Sequence, residues 1–517
     1  MKRKWFQKAL CLSAATMLVF GLAACGNKEN TQSSNTTATK APTAAPAADA
    51  GKATEAPVAV VPEIEKPAEI TIMVNGTLLD QASGRQQFEE KFAELDGVKL
   101  KVIQPDHNTY NDQVALAFTS GMQADALILS SDKYTSYAAN GALWDMTEAW
   151  ENSEAKASGI VGNQYIDALK IDGKLYGFAP ARGNGCITYI RKDWLDNLGL
   201  AVPTTYDEYI EVLRAFTEDD PDGNGVKDTF GVSAAGIYSK EAPYTNYLPE
   251  FWQDAIPDFT QLDNGTWVDG FSEANMSAAL TRLKDAYSKG YIDIEVVSNT
   301  TSACRDKFYA GNYGVFTYWA GKWNVTLEQN LQNTFPTASL VGMEPIAELG
   351  DYLERQPPVW AITSSSKNPE GVFKYLLETM VDGGAGQMLW TYGAEGTHYE
   401  VKDGTYTQLP DPEVPTSTFL SAHIDPVLSI VNWEDPLASA RDERIEASNK
   451  SFVENSVVAP LVVQTESMGN YAATLNDIRQ VIVSEVVTGS TSVEDGMAKY
   501  KEQSASMVAE ILAELNK

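Results

Sequence analysis

Ile70-Thr71-Ile72-Met73-Val74 is the stretch on which the fold turns. Ile70, Ile72 and Val74 alternate with their neighbours at the two-residue period of a strand. A helix is expected from near Ser83, with Gln86 three residues on at capping-box spacing and Phe88, Phe92 and Leu95 on one face. Val98 to Val102 reads as a second strand. Tyr110, Val114 and Met122 mark a second helix, and Ala126 to Leu129 a third strand. Strand, helix, strand, helix, strand predicts an α/β lobe with a mainly parallel sheet.

The same pattern returns downstream. Thr205-Tyr206-Asp207-Glu208 has the form of a capping box, opening a helix to about Glu218. Met276, Leu280, Leu283 and Tyr287 share a helix face that Gly290 ends. Asn368 and Pro369 are expected to cap a helix carrying Phe373, Leu376 and Met380, and the tail from Ser492 to Lys517 is amphipathic and helical. The chain beyond residue 66 is more than one hydrophobic core usually serves, so two lobes are predicted.

The N-terminus is of a different kind. Lys2, Arg3, Lys4 and Lys8 precede an apolar run from about Ala9 to Leu22, too short for a membrane span and flanked like a signal peptide. It stops at Leu22-Ala23-Ala24-Cys25-Gly26, which resembles the lipobox of bacterial lipoproteins and implies a lipidated Cys25 after removal of residues 1–24. More than one acyl chain gives stable attachment to a membrane. Residues 25–66 are rich in Thr, Ala, Ser, Asn and Pro without apolar period, which predicts a flexible tether. Random-coil scaling gives such a tether an end-to-end distance of about 35 Å.

Composition excludes several classes of function. The formal net charge is −31, and loss of the four basic leader residues makes it about −35, which argues against nucleic acid or anionic lipid as a partner. Cys186 and Cys304 remain after the leader cysteine Cys11 and Cys25 are set aside, and are expected as buried thiols rather than a disulfide framework. His107, His398 and His423 make no zinc spacing, and no Gly-x-Ser-x-Gly element or phosphate loop is present. With 70 acidic residues no spacing singles out a glycosidase pair, so no enzyme is predicted.

Asp220-Pro221-Asp222-Gly223-Asn224-Gly225-Val226-Lys227-Asp228 places oxygen side chains at loop positions 1, 3, 5 and 9, glycine at 6 and the Val226 carbonyl at 7. That is the ligand order of an EF-hand loop, and hard oxygen donors suit calcium. Position 12 is Gly231 in place of a bidentate Glu, and a strand is expected to follow, so the loop is EF-hand-like only. Asp220, Asp222, Asn224, Val226 and Asp228 are the expected ligands of a structural Ca²⁺.

Four further stretches carry a family resemblance: Gly121 to Asp145 with Tyr137-Ala138-Ala139-Asn140-Gly141; Gly173-Lys174-Leu175-Tyr176-Gly177-Phe178-Ala179-Pro180; Arg191-Lys192-Asp193-Trp194-Leu195 with Leu198-Gly199 and Pro203-Thr204-Thr205; and Ile362-Thr363-Ser364 with Lys367-Asn368-Pro369-Glu370. In this order the chain resembles the extracellular solute-binding proteins of ABC importers, of the maltose-binding-protein-like kind, in the branch of Gram-positive oligosaccharide-binding lipoproteins. Alginate-binding relatives carry a similar calcium loop. The resemblance implies an α/β type II clamshell with a hinge between lobes, one lobe of about 67–183 and 357–430 and another of 184–356 plus the C-terminal helices. Hinge crossings are expected near Pro180–Cys186 and Pro357–Trp360.

A sugar site needs flat aromatic faces and polar side chains around the ring plane. Gly314 to Trp323 reads as a strand ending in a glycine turn with aromatics at its mouth, and resembles the stretch that supplies a stacking tryptophan in the family. Trp323, Trp319 and Tyr318 are the expected stacking residues. The loop Ser130 to Tyr134 after the third strand resembles one with polar sugar contacts in the family, where Asp132 and Lys133 match by position and Tyr134 is a further candidate. Arg182, Asn184 and Trp390 complete the expected ligand set, and Glu395, Tyr392 and Trp433 are weaker candidates. The implied function is capture of a carbohydrate by lobe closure and delivery to the transmembrane subunits of an ABC permease. The expected protein is a monomer, lipid-anchored at the outer face of the cell membrane. A peptide-binding or sensor protein of the same fold is the alternative.

Overall fold

A computed structural model describes residues 64–75, 84–106, 109–238, 247–403, 405–410, 429–430 and 442–517. The leader, the tether up to residue 63 with Cys25, Ser83, His107, His423 and Trp433 lie outside them.

Within Ile64–Lys517 the described residues build two hydrophobic cores around two sheets. In the first, β1 (Glu69–Met73) lies between β2 (Lys99–Ile103) and β3 (Ala126–Leu129), parallel to both. The second sheet contains β5 (Cys186–Arg191), β6 (Phe230–Val232), β9 (Tyr313–Trp319) and β10 (Leu340–Gly342) in the order β10-β5-β9-β6. Here β5 is antiparallel to both neighbours, so the parallel pattern expected from the first lobe does not repeat. Every residue of β3, β5 and β9 is buried, which fits their largely apolar and aromatic composition.

Between the sheets the chain crosses in short extended segments. β4 (Arg182–Gly183) leads into β5, and β11 (Tyr352–Glu354) leads out of the second core toward β12 (Val359–Ile362). β12 joins the first sheet antiparallel to β3, pairing Val359 with Leu129. The first crossing passes so close to the second that a Cβ built on Gly183 would stand 1.6 Å from the Arg355 carbonyl oxygen. Only glycine fits there.

Further segments follow the same route. β15 (Ser429–Ile430) pairs with β4. β16 (Ser456–Val458) runs parallel to β11, and the Ala459 amide donates to the Glu354 carbonyl at 2.7 Å. Phe452 just before β16 sits in the second core, whereas Leu461 and Val463 just after it pack on the first. The chain then returns through the helix Glu466–Val487, whose Ile482, Val483 and Val486 belong to the second core.

That helix pairs with the helix Val493–Leu515. Buried Arg479 bonds Asp258, Asp269 and Tyr500, which fastens both helices to the hairpin of β7 (Phe259–Gln261) and β8 (Trp267–Asp269). A last hairpin joins β13 (Tyr399–Lys402) to β14 (Thr405–Gln408).

Local signals in the sequence differ in how well they translate. The Thr205–Glu208 box forms in full, and its helix spans Tyr206–Glu218. The first helix is Arg85–Asp96 with Gly84 as its N-cap, and no side chain caps it. Met122 lies past its helix, which stops at Ser120 because Gly121 takes φ +109°. The helix after Asn368 keeps one α turn, Pro369–Val372, then widens to a π turn at Phe373–Leu377 and tightens to 3-10 at Glu378–Val381. Cys186 and Cys304 are free thiols, both buried.

Candidate functional site

β9 delivers its aromatic end to the crossings, where the Ala320 amide donates to the Gly185 carbonyl at 2.9 Å. Gly321 then takes φ +85° with a Cβ position 2.5 Å from Asn449 Oδ1, so only glycine allows this turn. The helix Lys322–Gln332 begins directly after it. Trp323 stands in its first turn, half-buried, edge-on to Tyr318 with ring centres 4.6 Å apart.

Successive residues of a strand point to opposite faces of its sheet. Tyr318 therefore faces Phe316 and Tyr247, while Trp319 lies on the other side under Arg355, whose guanidinium stands 4.7 Å from the indole centre. Tyr318 and Trp319 are 7% and 6% exposed, so each offers little more than an edge to a ligand. Of the three expected stacking rings, Trp323 alone is half-open. Lys322 beside it reaches water, yet desolvation by the surrounding protein lowers its amine below the usual lysine value.

Two arginines missed by sequence reading join these rings: Arg355, and Arg305 from the helix Thr301–Tyr309. Arg305 Nη1 donates to the Tyr318 hydroxyl at 3.3 Å, and its guanidinium lies 5.9 Å from the Tyr318 ring and 5.7 Å from that of Trp323. No sequence pattern marks either residue, because their partners are remote in the chain or set by strand twist.

The first lobe supplies polar groups near the same crossings. Ser130 to Tyr134, expected as a loop, is the entry to the helix Ser131–Ala139. Only Ser130, its N-cap, separates this helix from Leu129, the residue paired with Val359 beside the crossing. Asp132 is exposed, accepts from Ser130 Oγ at 2.6 Å and lies 3.3 Å from Lys133 Nζ.

The remaining expected contacts have other employment. Tyr134 is fully buried, and its hydroxyl donates to the Leu169 carbonyl at 2.6 Å, so it belongs to the first core and not to a ligand surface. Trp390 is likewise fully buried, edge-on to Phe88 and Trp360 with Nε1 donating to Thr379 Oγ1 at 3.1 Å. Tyr392 is buried as well. Asn184 is 2% exposed and its amide serves the Ala320 carbonyl and the Gly185 amide, shaping the crossing. Arg182 pairs with Glu354 and lies 5.6 Å from the Tyr165 ring centre, which makes it a strut between crossings.

In the Asp220–Asp228 loop, Asp220, Gly223 and Gly225 take positive φ, winding the chain tightly. The Asn224 side-chain amide reaches Asp222 Oδ2 at 2.8 Å and Asp228 Oδ1 at 3.3 Å, while Asp220 accepts from the Asn224 and Gly225 amides. Burial, Asp220 and Asp228 together raise the Asp222 carboxyl. The Asn224 amide thus lies between two carboxylates. Among the described residues, no group of three or more acidic, His or Cys side chains converges by itself into a metal cage. A cation here would also need the Asn224 oxygen and the Val226 carbonyl. β6 follows the loop, as the sequence suggested.

Two α/β sheets joined by several short crossings, with rings and cations gathered at the ends next to those crossings, define a two-lobed solute-binding fold of type II. The family described as bacterial extracellular solute-binding protein matches residues 75–377, and the chain belongs to that family of binding proteins. It is 27% identical to lipoprotein LipO of Bacillus subtilis (strain 168) over 374 residues, 66% of this chain and 69% of LipO. It is 28% identical over 386 residues to FusA, a fructooligosaccharide ABC transporter substrate-binding protein of Streptococcus pneumoniae serotype 4, covering 73% of this chain and 69% of FusA. The FusA structure with kestose matches at a TM-score of 0.62 and 17% identity, over 87% of this chain and 98% of that one, and an EF-hand mutant of FusA has also been solved. Alginate-binding protein AlgQ2, solved without calcium ion, matches at a TM-score of 0.63 and 20% identity over 87% and 98%. These structural likenesses establish the shared fold. Among the described residues no helix is long and apolar enough to cross a membrane.

Proposed function

We propose that this protein is the carbohydrate-capturing component of an ABC importer, working as a monomer that closes its lobes on an oligosaccharide and presents it to the transmembrane subunits. One observation carries the reading. Trp323 is a half-open indole at a helix start, fixed by the Gly321 turn and the Tyr318 edge, beside the crossings about which the lobes can move. A flat, rigid ring in that position suits the apolar face of a sugar, and Asp132 and Lys133 on the first lobe suit its hydroxyls. The similarity to FusA, a fructooligosaccharide ABC transporter substrate-binding protein, points the same way.

Two features complete the reading. Cys25 takes the lipid that tethers the protein to the outer face of the cell membrane, supported by the Leu22–Gly26 sequence and by the name of LipO. The Asp220–Asp228 loop holds a structural Ca²⁺ through Asp220, Asp222, Asn224, the Val226 carbonyl and Asp228. The convergence of carboxylates on Asn224 supports that assignment, as does the EF-hand named for FusA.

Calorimetric titration of the purified protein against oligosaccharides and against peptides tests the capture. Saturable heat with a saccharide, no heat with peptides and no new product by mass spectrometry are expected. Saturable binding of a peptide with no response to any saccharide would overturn the reading.

A further inference from the structure

Arg305 differs from most of the described arginines. Arg85, Arg182, Arg191, Arg214, Arg282, Arg444 and Arg479 each hold a carboxylate. Arg305 touches the Tyr318 hydroxyl and two ring faces and makes no ion pair with the described residues. This is unexpected in a chain with 70 acidic and 39 basic residues, where a carboxylate is the commonest charged neighbour. Asp306, next on the same helix, is exposed and turned about 100° away around the axis. A half-buried guanidinium without a counter-ion has lost water that nothing of opposite charge replaces.

Two further cations lie near the end of β9. Arg355 lies over Trp319, and Lys322 adjoins Trp323 in the first turn of its helix. Arg305 and Lys322 thus place positive charge beside the half-open Trp323, in a protein whose net charge is strongly negative. Ionic screening confines that net charge to a range of about 8 Å at physiological salt, so the local groups decide what a bound ligand feels.

We propose that Arg305 is a specificity-determining residue and that the saccharide captured bears a carboxylate, as uronic acid units do. This rests on the carbohydrate reading above and narrows it. The guanidinium fork matches a carboxylate with two parallel hydrogen bonds, a match that an ammonium does not reproduce. One uronate unit lying against Trp323 can reach Arg305, because only 5.7 Å separates the guanidinium from the indole centre. A neutral sugar leaves the guanidinium unpaired after displacing its remaining water, which disfavours neutral ligands at the same site.

The test is calorimetric titration of the calcium-loaded protein with trisaccharides of galacturonate, mannuronate and guluronate, and with neutral trisaccharides of galactose, mannose and fructose. At least one uronate should bind roughly ten- to a hundredfold tighter than every neutral sugar, as expected for a charge-assisted pair. Its affinity should fall with added salt. Arg305→Met should abolish that preference while Arg305→Lys keeps part of it, with melting curves confirming that both variants fold. Should Arg305→Met fail to fold, Arg305→Lys alone decides, since loss of the fork must still weaken the uronate more than any neutral ligand. A neutral trisaccharide binding as tightly as the uronates, with no change on substitution of Arg305, would overturn this inference and leave carbohydrate capture standing. Absence of binding by all six sugars would overturn both.

Discussion

Arg182 and Glu354, 172 residues apart in sequence, meet in an ion pair between two chain crossings, with Arg182 Nε donating to Glu354 Oε1 at 3.1 Å. Their side chains are 13% and 2% exposed. The pair is therefore a fastening between the strands that join the lobes. Arg355, the residue after Glu354, covers Trp319, so the same stretch of backbone touches both the joint and the aromatic cluster.

Removing one member of a buried pair leaves an uncompensated charge. Glu354→Ala should lower the free energy of urea unfolding by roughly 3–5 kcal/mol. The double variant Arg182→Met with Glu354→Leu should recover most of that loss. A Glu354→Ala protein as stable as the wild type would show that the pair is solvated.

This pair also shows where sequence reading stops. Arg182 looked like a ligand contact because it is a charged residue in a crossing, and nothing local announces a partner 172 positions away. Tyr134 and Trp390 looked like site residues because aromatics near Ser-, Asp- and Gly-rich stretches resemble binding loops, but burial is decided by packing between elements. Ser456–Val458 gave no sign of being a crossing, since its pairing with Tyr352–Glu354 is as remote. What was legible was local or periodic. The Thr205–Glu208 cap, the three parallel strands of the first sheet and the turn at Gly321 each follow from a few neighbouring residues.

Glu250 makes stability depend on pH. It is fully buried and accepts a hydrogen bond from the Thr188 hydroxyl. Burial pushes its carboxyl from 4.5 up to about 7. The folded state therefore holds this proton more tightly than the unfolded state. The stabilisation is complete below about pH 4.5 and is lost as pH rises through about 7, on the order of 3 kcal/mol in all. Glu250→Gln should flatten the unfolding free energy across that window and raise stability at pH 8. An unchanged pH profile in the variant would contradict this.

Calcium should appear as thermal stability. Chelation should lower the melting temperature, by an amount equivalent to about 2 kcal/mol when free calcium exceeds its dissociation constant roughly thirtyfold. Asp222→Asn should melt low with or without the chelator. A wild-type melting curve indifferent to chelation would remove the ion from the Asp220–Asp228 loop.

The central claim is that a saccharide rests on Trp323, and saccharide titration of Trp323→Ala beside Trp390→Ala tests it most directly. Trp390 lies in the first core, so its truncation should cost about 3–5 kcal/mol of stability while the folded fraction binds as the wild type does. Trp323→Ala should unfold cooperatively and bind the saccharide several-fold or more weakly. A Trp323→Ala protein with wild-type affinity would contradict the account.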